Sequence, residues 1–410
     1  MGKESYLRNS CIVNTGEDGN RFVGIKADSQ GVKVHFPLGY HLSQNDCDLR
    51  RDIIQLIRVL LEFNKVDRGT LSLGKSNNVR QVELPIAAYL EIINNYFENG
   101  CYREKVYRFK TGTHGNIDWA RTIKEQKVII QSNCSPIYSE YTVRQSRTSI
   151  DEEITKINVY CVQESFKKIG WLFTPSIPMP QNCLINRQRA IFLVRQKLEC
   201  TNNDAEKRLF KSMLDMLNYL DNSYNEGYFY FGTDSFEYVW ERLVNRAFGI
   251  KDKKEYFPRT KWFIKSNGQW QIKSPLEPDS VMSFNGKTYI LDSKYYRYGL
   301  SANPNHLPDS SSINKQITYG EYVFTEKEVP NEKLFNAFLM PYNSVNNSLG
   351  ISGPFGNIGT AIADWKGGLL NYERIQGIVI DMRYLMYHYR RIPEEDIAAL
   401  ARIIEEGLMD

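Results

Sequence analysis

Residues 278–296 read PDSVMSFNGKTYILDSKYY. Two short runs of strand-forming residues flank Asn285-Gly286, the pair that best accepts the positive φ angles of a tight hairpin turn. An acid, Asp279, opens the first strand, while a second acid, Asp292, and a base, Lys294, close the second. Side chains alternate along a strand, so Asp292 and Lys294 leave one face and Ser293 leaves the other. The turn folds Asp279 back toward that pair. Two carboxylates and an ammonium converging at one sheet end form a site for a divalent cation with a water beside it.

Pro278-Asp279 followed by Asp292-Ser293-Lys294 resembles the PD-(D/E)xK nuclease superfamily. Phosphodiester hydrolysis has a use for each of these groups. Carboxylates hold Mg²⁺, a hard ion that prefers oxygen and keeps several waters. Such an ion acidifies a water and neutralises phosphate charge. The lysine can orient that water or stabilise developing charge. The opposing reading of the same residues is a surface hairpin with solvated charges.

The chain has 410 residues, 42% of them hydrophobic, which is enough for two or three domains with cores of their own. A net charge of +4 permits nucleic-acid binding without arguing for it, so any basic footprint must be local. Seven scattered cysteines form no CxxC pair, which speaks against a disulfide framework or a zinc site. The start, MGKESYLRNS, has no apolar core, and no run approaches the length of a membrane span. A soluble cytoplasmic protein with no membrane association is expected.

Residues 10–40 alternate β-rich runs with Gly, Asp and Asn turns, which predicts a small sheet. Apolar spacing predicts helices over 48–63 and 84–98, the second with Pro85 in its first turn and Gly100 beyond its end. Between them GTLSLGKS, residues 69–76, matches the phosphate-loop pattern. A working loop follows a buried strand and opens a helix, whereas this one follows the end of a helix and the next begins only near 84. It is read as a match without nucleotide binding.

Residues 101–127 are the most basic structured stretch, with Arg103, Lys105, Arg108 and Lys110 interleaved with Tyr102, Tyr107 and Phe109, and Arg121, Lys124 and Lys127 following. This is either a strand that contacts phosphates or a partner, Arg108 and Lys110 included, or one solvated face of a half-buried strand. Helices are predicted over 151–168, 187–199 and 204–221. From 228 the pattern changes to a strand, a helix over 234–248, the hairpin, a helix or mixed segment over 313–324, strands at 335–341 and 377–382, and a closing helix over 394–406. The expected class is α/β (α+β). Residues 1–130 are expected to form a β-rich region that engages a partner or DNA, 131–224 a helical linker region, and 225–410 a domain with a central mixed sheet flanked by helices.

The helix before the hairpin is expected to supply a further acid. Glu237 is the first choice and Glu241, one turn on, the reserve. Asp234-Ser-Phe-Glu237 also satisfies the capping-box pattern, in which the glutamate only bonds back to the helix start. Downstream, Lys315-Gln316-Ile317-Thr318-Tyr319 resembles the Gln…Tyr element of many such nucleases, except that Tyr319 follows Gln316 by three residues rather than the commoner four. Gln316 is expected to orient the site or touch a phosphate, and Lys315 and Tyr319 to meet DNA.

The phrases FEYVWE, PDSVMSFNGKTYILDSKYY, LPDSSSINKQITYGEY and HGNIDWARTI together resemble LlaJI-type restriction endonucleases, which are similar to the nuclease subunit of McrBC-type systems. The resemblance covers most of the chain from about residue 100. It implies cleavage of double-stranded DNA with Mg²⁺, or Mn²⁺ in its place, held by Asp279, Asp292 and Glu237 with Lys294 and Gln316 as catalytic companions. It also implies a separate AAA+ GTPase motor of the McrB type, which Asp118, Trp119 and Arg121 would face. The alternatives are a stand-alone repair or recombination nuclease, a catalytically silent DNA-binding adaptor, and a nucleotide-binding protein built on residues 69–76.

Overall fold

Gly24 lies opposite Gly232 on two antiparallel strands, Val23–Asp28 and Phe229–Thr233, that are far apart in the chain. A Cβ on Gly24 would stand 2.1 Å from the Phe231 carbonyl oxygen, and one on Gly232 would stand 2.2 Å from that of Val23. Their φ angles of +143° and +157° also suit glycine alone. The backbones touch because neither residue has a side chain.

This pairing decides how the chain is divided. The computed structural model describes residues 7–17, 21–28, 31–64, 84–149, 153–173, 184–222 and 229–408. These fall into two compact units, Met1–Gln81 with Gly227–Asp410, and Val82–Glu226. The grouping departs from three consecutive segments because the N-terminal strands are completed by a strand from beyond residue 228. Residues 69–76 lie outside the described residues.

In the first unit, β1 (Cys11–Val13), β2 (Val23–Asp28) and β3 (Gly31–Phe36) precede α1 (Asp46–Asn64). That helix buries Ile53, Leu56, Ile57 and Leu60, spaced to form one apolar stripe. The second unit begins with α2 (Ile86–Asn99) and continues through β4 (Glu104–Gly112), β5 (Asn116–Ile117), α3 (Trp119–Glu125), β6 (Val128–Ile130), β7 (Pro136–Tyr138) and β8 (Tyr141–Ser149). It ends with α4 (Glu153–Ile169), α5 (Arg187–Cys200) and α6 (Asp204–Asn222). Leu209, Phe210, Met213, Met216 and Leu217 make the stripe that seats α6 against the other helices.

Back in the first unit, β9 (Phe229–Thr233) completes the sheet β1-β3-β2-β9 and leads into α7 (Phe236–Phe248). A separate ribbon follows, β10 (Lys261–Ile264) with β11 (Gln269–Ile272). Next come β12 (Ser280–Phe284), β13 (Lys287–Ser293), α8 (Tyr298–Ser301), α9 (Ser310–Glu326), β14 (Leu334–Tyr342), β15 (Phe355–Ala361), β16 (Ile375–Asp381), α10 (Met382–His388) and α11 (Glu394–Glu406). The segment over 313–324 is thus wholly helical.

The five-stranded sheet has the order β12-β13-β14-β16-β15, with β13, β14 and β16 parallel and the two outer strands antiparallel. All nine residues of β14 are buried, the near-continuous apolar run of a strand covered on both faces. On one face Ile290, Phe338 and Met340 pack against Ile317, Tyr319 and Val323 of α9. On the other, the Tyr289 hydroxyl donates to Glu405 of α11. The expected mixed sheet with flanking helices is the observed fold. No described helix is long and apolar enough to cross a membrane, and the described cysteines are free.

Candidate active site

The β12–β13 hairpin turns at Asn285 and Gly286, whose φ angles of 48° and 70° are those the Asn-Gly pair favours. Its register places Ser280 against Leu291, so Asp279 stands opposite Asp292 one step beyond the last pair. Asp279 accepts the backbone N–H of Ser293 through Oδ2 at 2.7 Å. Asp292 is 3% exposed, and Lys294 Nζ lies 2.7 Å from its Oδ2. That contact is an ion pair without hydrogen-bond alignment, so the buried Oδ2 has no aligned donor. The Lys294 backbone N–H is tied to the Leu339 carbonyl of β14 at 2.8 Å, which fixes the strand end.

The electrostatics follow from crowding acids at a poorly hydrated sheet end. Burial, then repulsion from Asp292, pushes Asp279 up to about 6 against the opposing pull of the Ser293 N–H, Lys294 and Lys315. Glu241 is pushed up to about 7 by burial and then by Asp279 and Asp292. Burial opposes the charge on Lys294, but the nearby Asp292 more than offsets it and the ammonium is held above its ordinary value.

Of the two acids on α7, Glu241 is the one half-buried and facing both aspartates, while Glu237 is exposed. Nor does Glu237 close a capping box, because Ser235 is the N-cap and its side chain makes no cap bond. No group of three or more His, Cys, Asp or Glu side chains is gathered to ligating distance among the described residues. The donors nevertheless suit a hard divalent cation. Two carboxylates oppose each other, one buried oxygen lacks an aligned donor, and a third acid lies within electrostatic reach.

Helix α9 braces β13 and the segment that leads into β12. Gln316 is 1% exposed and donates to the Ile290 carbonyl at 2.8 Å. Tyr319 is fully buried, and its hydroxyl donates to the Glu277 carbonyl at 2.9 Å, two residues before Asp279. Neither side chain is at the surface to meet a phosphate; both hold strand backbone. Lys315 is exposed, 5.6 Å above the Tyr319 ring, and its charge is felt at Asp279. Lys253, unmarked in the sequence, donates to the carbonyls of Pro278 and Asp279. Its place in the charged run KDKKEY carries no signal of that contact.

The remaining candidates lie in the second unit. Arg108 and Lys110 are exposed on β4. Asp118 caps α3 by accepting the Arg121 N–H at 3.0 Å. Arg121 rests on the Phe109 ring, 3.9 Å from its centre, between Asp118 at 4.0 Å and Glu125 at 3.7 Å. Trp119 is 54% exposed, with its ring edge-on to Tyr141.

Comparison with known proteins gives three findings. Residues 22–360 match the family described as LlaJI restriction endonuclease. The chain is 24% identical over 275 residues to the type II restriction enzyme BsuMI component YdjA of Bacillus subtilis (strain 168), covering 62% of this chain and 57% of that protein. The chain thus spans little more than half the length of that relative. A solved assembly of Thermococcus gammatolerans McrB AAA+ hexamers with bound McrC aligns over 94% of this chain and 83% of that one at 14% identity. Its TM-score of 0.40 is too low to carry an argument.

Proposed function

The chain belongs to the LlaJI restriction endonuclease family, and from that premise we propose that it is the DNA-cleaving subunit of a restriction system. Its substrate is double-stranded DNA, its reaction phosphodiester hydrolysis, and its cofactor Mg²⁺ with Mn²⁺ as a substitute. The observation that carries the reading is the meeting of Asp279, Asp292 and Lys294 at one buried hairpin end. Asp279 and Asp292 would hold the cation, with Glu241 a further acid that feels both of their charges. What a bound cation supplies there is neutralised phosphate charge and a more acidic water.

The protein's own groups do the rest. Lys294, kept charged by Asp292, donates toward charge that develops on the phosphate. Glu241, held up by burial and by the Asp279 and Asp292 charges, would ionise more readily once a cation neutralises those two, and could then bind the cation or one of its waters. Gln316 holds β13 and Tyr319 the segment just before Asp279, so that the carboxylates stay opposed. Lys315 offers its charge to the DNA backbone at the rim.

A second chain completes this system. The Bacillus relative is named as a component of a restriction enzyme, and the family resemblance points to an AAA+ GTPase motor. The test is cleavage of plasmid DNA by the purified chain with Mg²⁺ or Mn²⁺, alone and with such a motor. Cation-dependent cleavage that Asp292→Asn removes is the expected result. Absence of cleavage by the wild type under every one of these conditions would end the nuclease reading.

A further inference from the structure

Seven of the eight residues of the β10–β11 ribbon are exposed, and only Ile264 is half-buried. Register puts Lys261, Phe263, Trp270 and Ile272 on one face and Trp262, Ile264, Gln269 and Gln271 on the other. Trp262, Phe263, Trp270 and Ile272 are 67%, 49%, 59% and 67% exposed. A lone two-stranded ribbon is marginal in water, and aromatic rings left bare on both sides call for a cover.

Its charge says what the cover is. Arg259, Lys261, Lys265 and Lys273 are exposed, and residues 259–274 contain no acid. Lys261 Nζ sits 4.6 Å from the centre of the Trp270 ring, and Phe263 tilts against the same ring at 5.4 Å. Cations beside exposed apolar rings suit a polyanion that presents sugar edges between its phosphates, which is the backbone of duplex DNA.

The ribbon's root adjoins the candidate active site. Leu276 N–H donates to the Pro258 carbonyl and Lys273 N–H to that of Thr260, both at 2.9 Å. Three residues beyond Leu276 comes Asp279, whose carbonyl, with that of Pro278, is gripped by Lys253. From that root the ribbon can reach roughly 25 Å, or about seven base-pair steps.

We infer that the β10–β11 ribbon is a second DNA-contact element, its lysines on phosphates and its tryptophans on sugars flanking the cleaved bond. The inference rests on the nuclease reading. Its test uses the full chain and a labelled random-sequence duplex, with Kd measured against salt concentration in the absence of divalent cations. Cleavage of the same duplex with Mg²⁺ is measured in parallel.

The triple variant Lys261→Ala, Lys265→Ala, Lys273→Ala should weaken binding at least about tenfold and flatten the salt slope by about three. Trp262→Ala with Trp270→Ala should weaken it roughly tenfold and leave the slope unchanged, because an uncharged contact to the sugars releases no counterions. All five side chains are exposed, so both variants should keep the wild-type circular dichroism and Tm. If the wild type cleaves the duplex while both variants bind it like the wild type, the ribbon is not a DNA element and the nuclease reading stands. If the wild type neither binds nor cleaves DNA, both fall together.

Discussion

Asp279 and Asp292 stand directly opposite each other at the open end of a hairpin, where like charges cost most and a shared cation relieves most. Replacing Asp292 with asparagine removes one of the opposed charges and leaves the shape. Cleavage by Asp292→Asn should drop at least roughly hundredfold. Its Tm without divalent cations should be equal to or above that of the wild type. A lower Tm would mean that the ion pair with half-buried Lys294 outweighs the repulsion from Asp279.

The same crowding sets a pH dependence. Asp279 and Glu241 have folded values pushed up to about 6 and about 7, from ordinary values of 3.8 and 4.5. Between those limits the folded state holds more protons than the unfolded one, so stability falls as pH rises from about 4 to about 7. A cation that takes the protons' place should therefore raise Tm more at pH 8 than at pH 5. Equal shifts on adding Mg²⁺ at the two pH values would show that these acids do not bind it.

Lys315 and Tyr319 lie close on one helix and should fail in opposite ways. Tyr319→Phe loses the buried bond to the Glu277 carbonyl, which should cost about 1 kcal/mol of stability and slow cleavage with DNA affinity unchanged. Lys315→Ala should leave Tm alone and reduce the salt slope of DNA binding by about one unit. Paired urea titrations and binding isotherms distinguish the two roles. Swapped outcomes would refute the division.

Gly232→Ala places a methyl group 2.2 Å from the Val23 carbonyl oxygen, against a backbone that cannot yield. The unit containing the hairpin should lose at least about 2 kcal/mol, read from the urea midpoint of its transition. An unchanged midpoint would mean that the β2–β9 seam contributes nothing.

Arg121 is held by Phe109, Asp118 and Glu125, so it presents a fixed guanidinium rather than a free one. If the second unit serves the motor, Arg121→Ala and Trp119→Ala should weaken stimulated GTP hydrolysis several-fold. Calorimetry should show cation affinity at Asp279 and Asp292 unchanged. Loss of cation binding with assembly intact would overturn this split of tasks.

The hairpin was legible in the sequence because everything that makes it is local. Asn285-Gly286 sets the turn, and a period of two puts Asp292 and Lys294 on one side. The apolar run 335–341 is legible as a strand for the same reason, while its central place in the sheet comes only from the pairing with β13 and β16. Other features were decided only by contacts between distant segments. Glu237 and Glu241 share one face of α7, and Glu241 is the half-buried one that feels both aspartates because it lies one turn farther along a helix packed on β12 and β13. Gln316 and Tyr319 became internal braces because α9 turns that edge onto β13 and β14. Nor does any local pattern in Gly24 or Gly232 foretell that they meet. A residue's own chemistry fixes its local conformation, but which distant backbone it touches depends on how all the apolar faces are covered together.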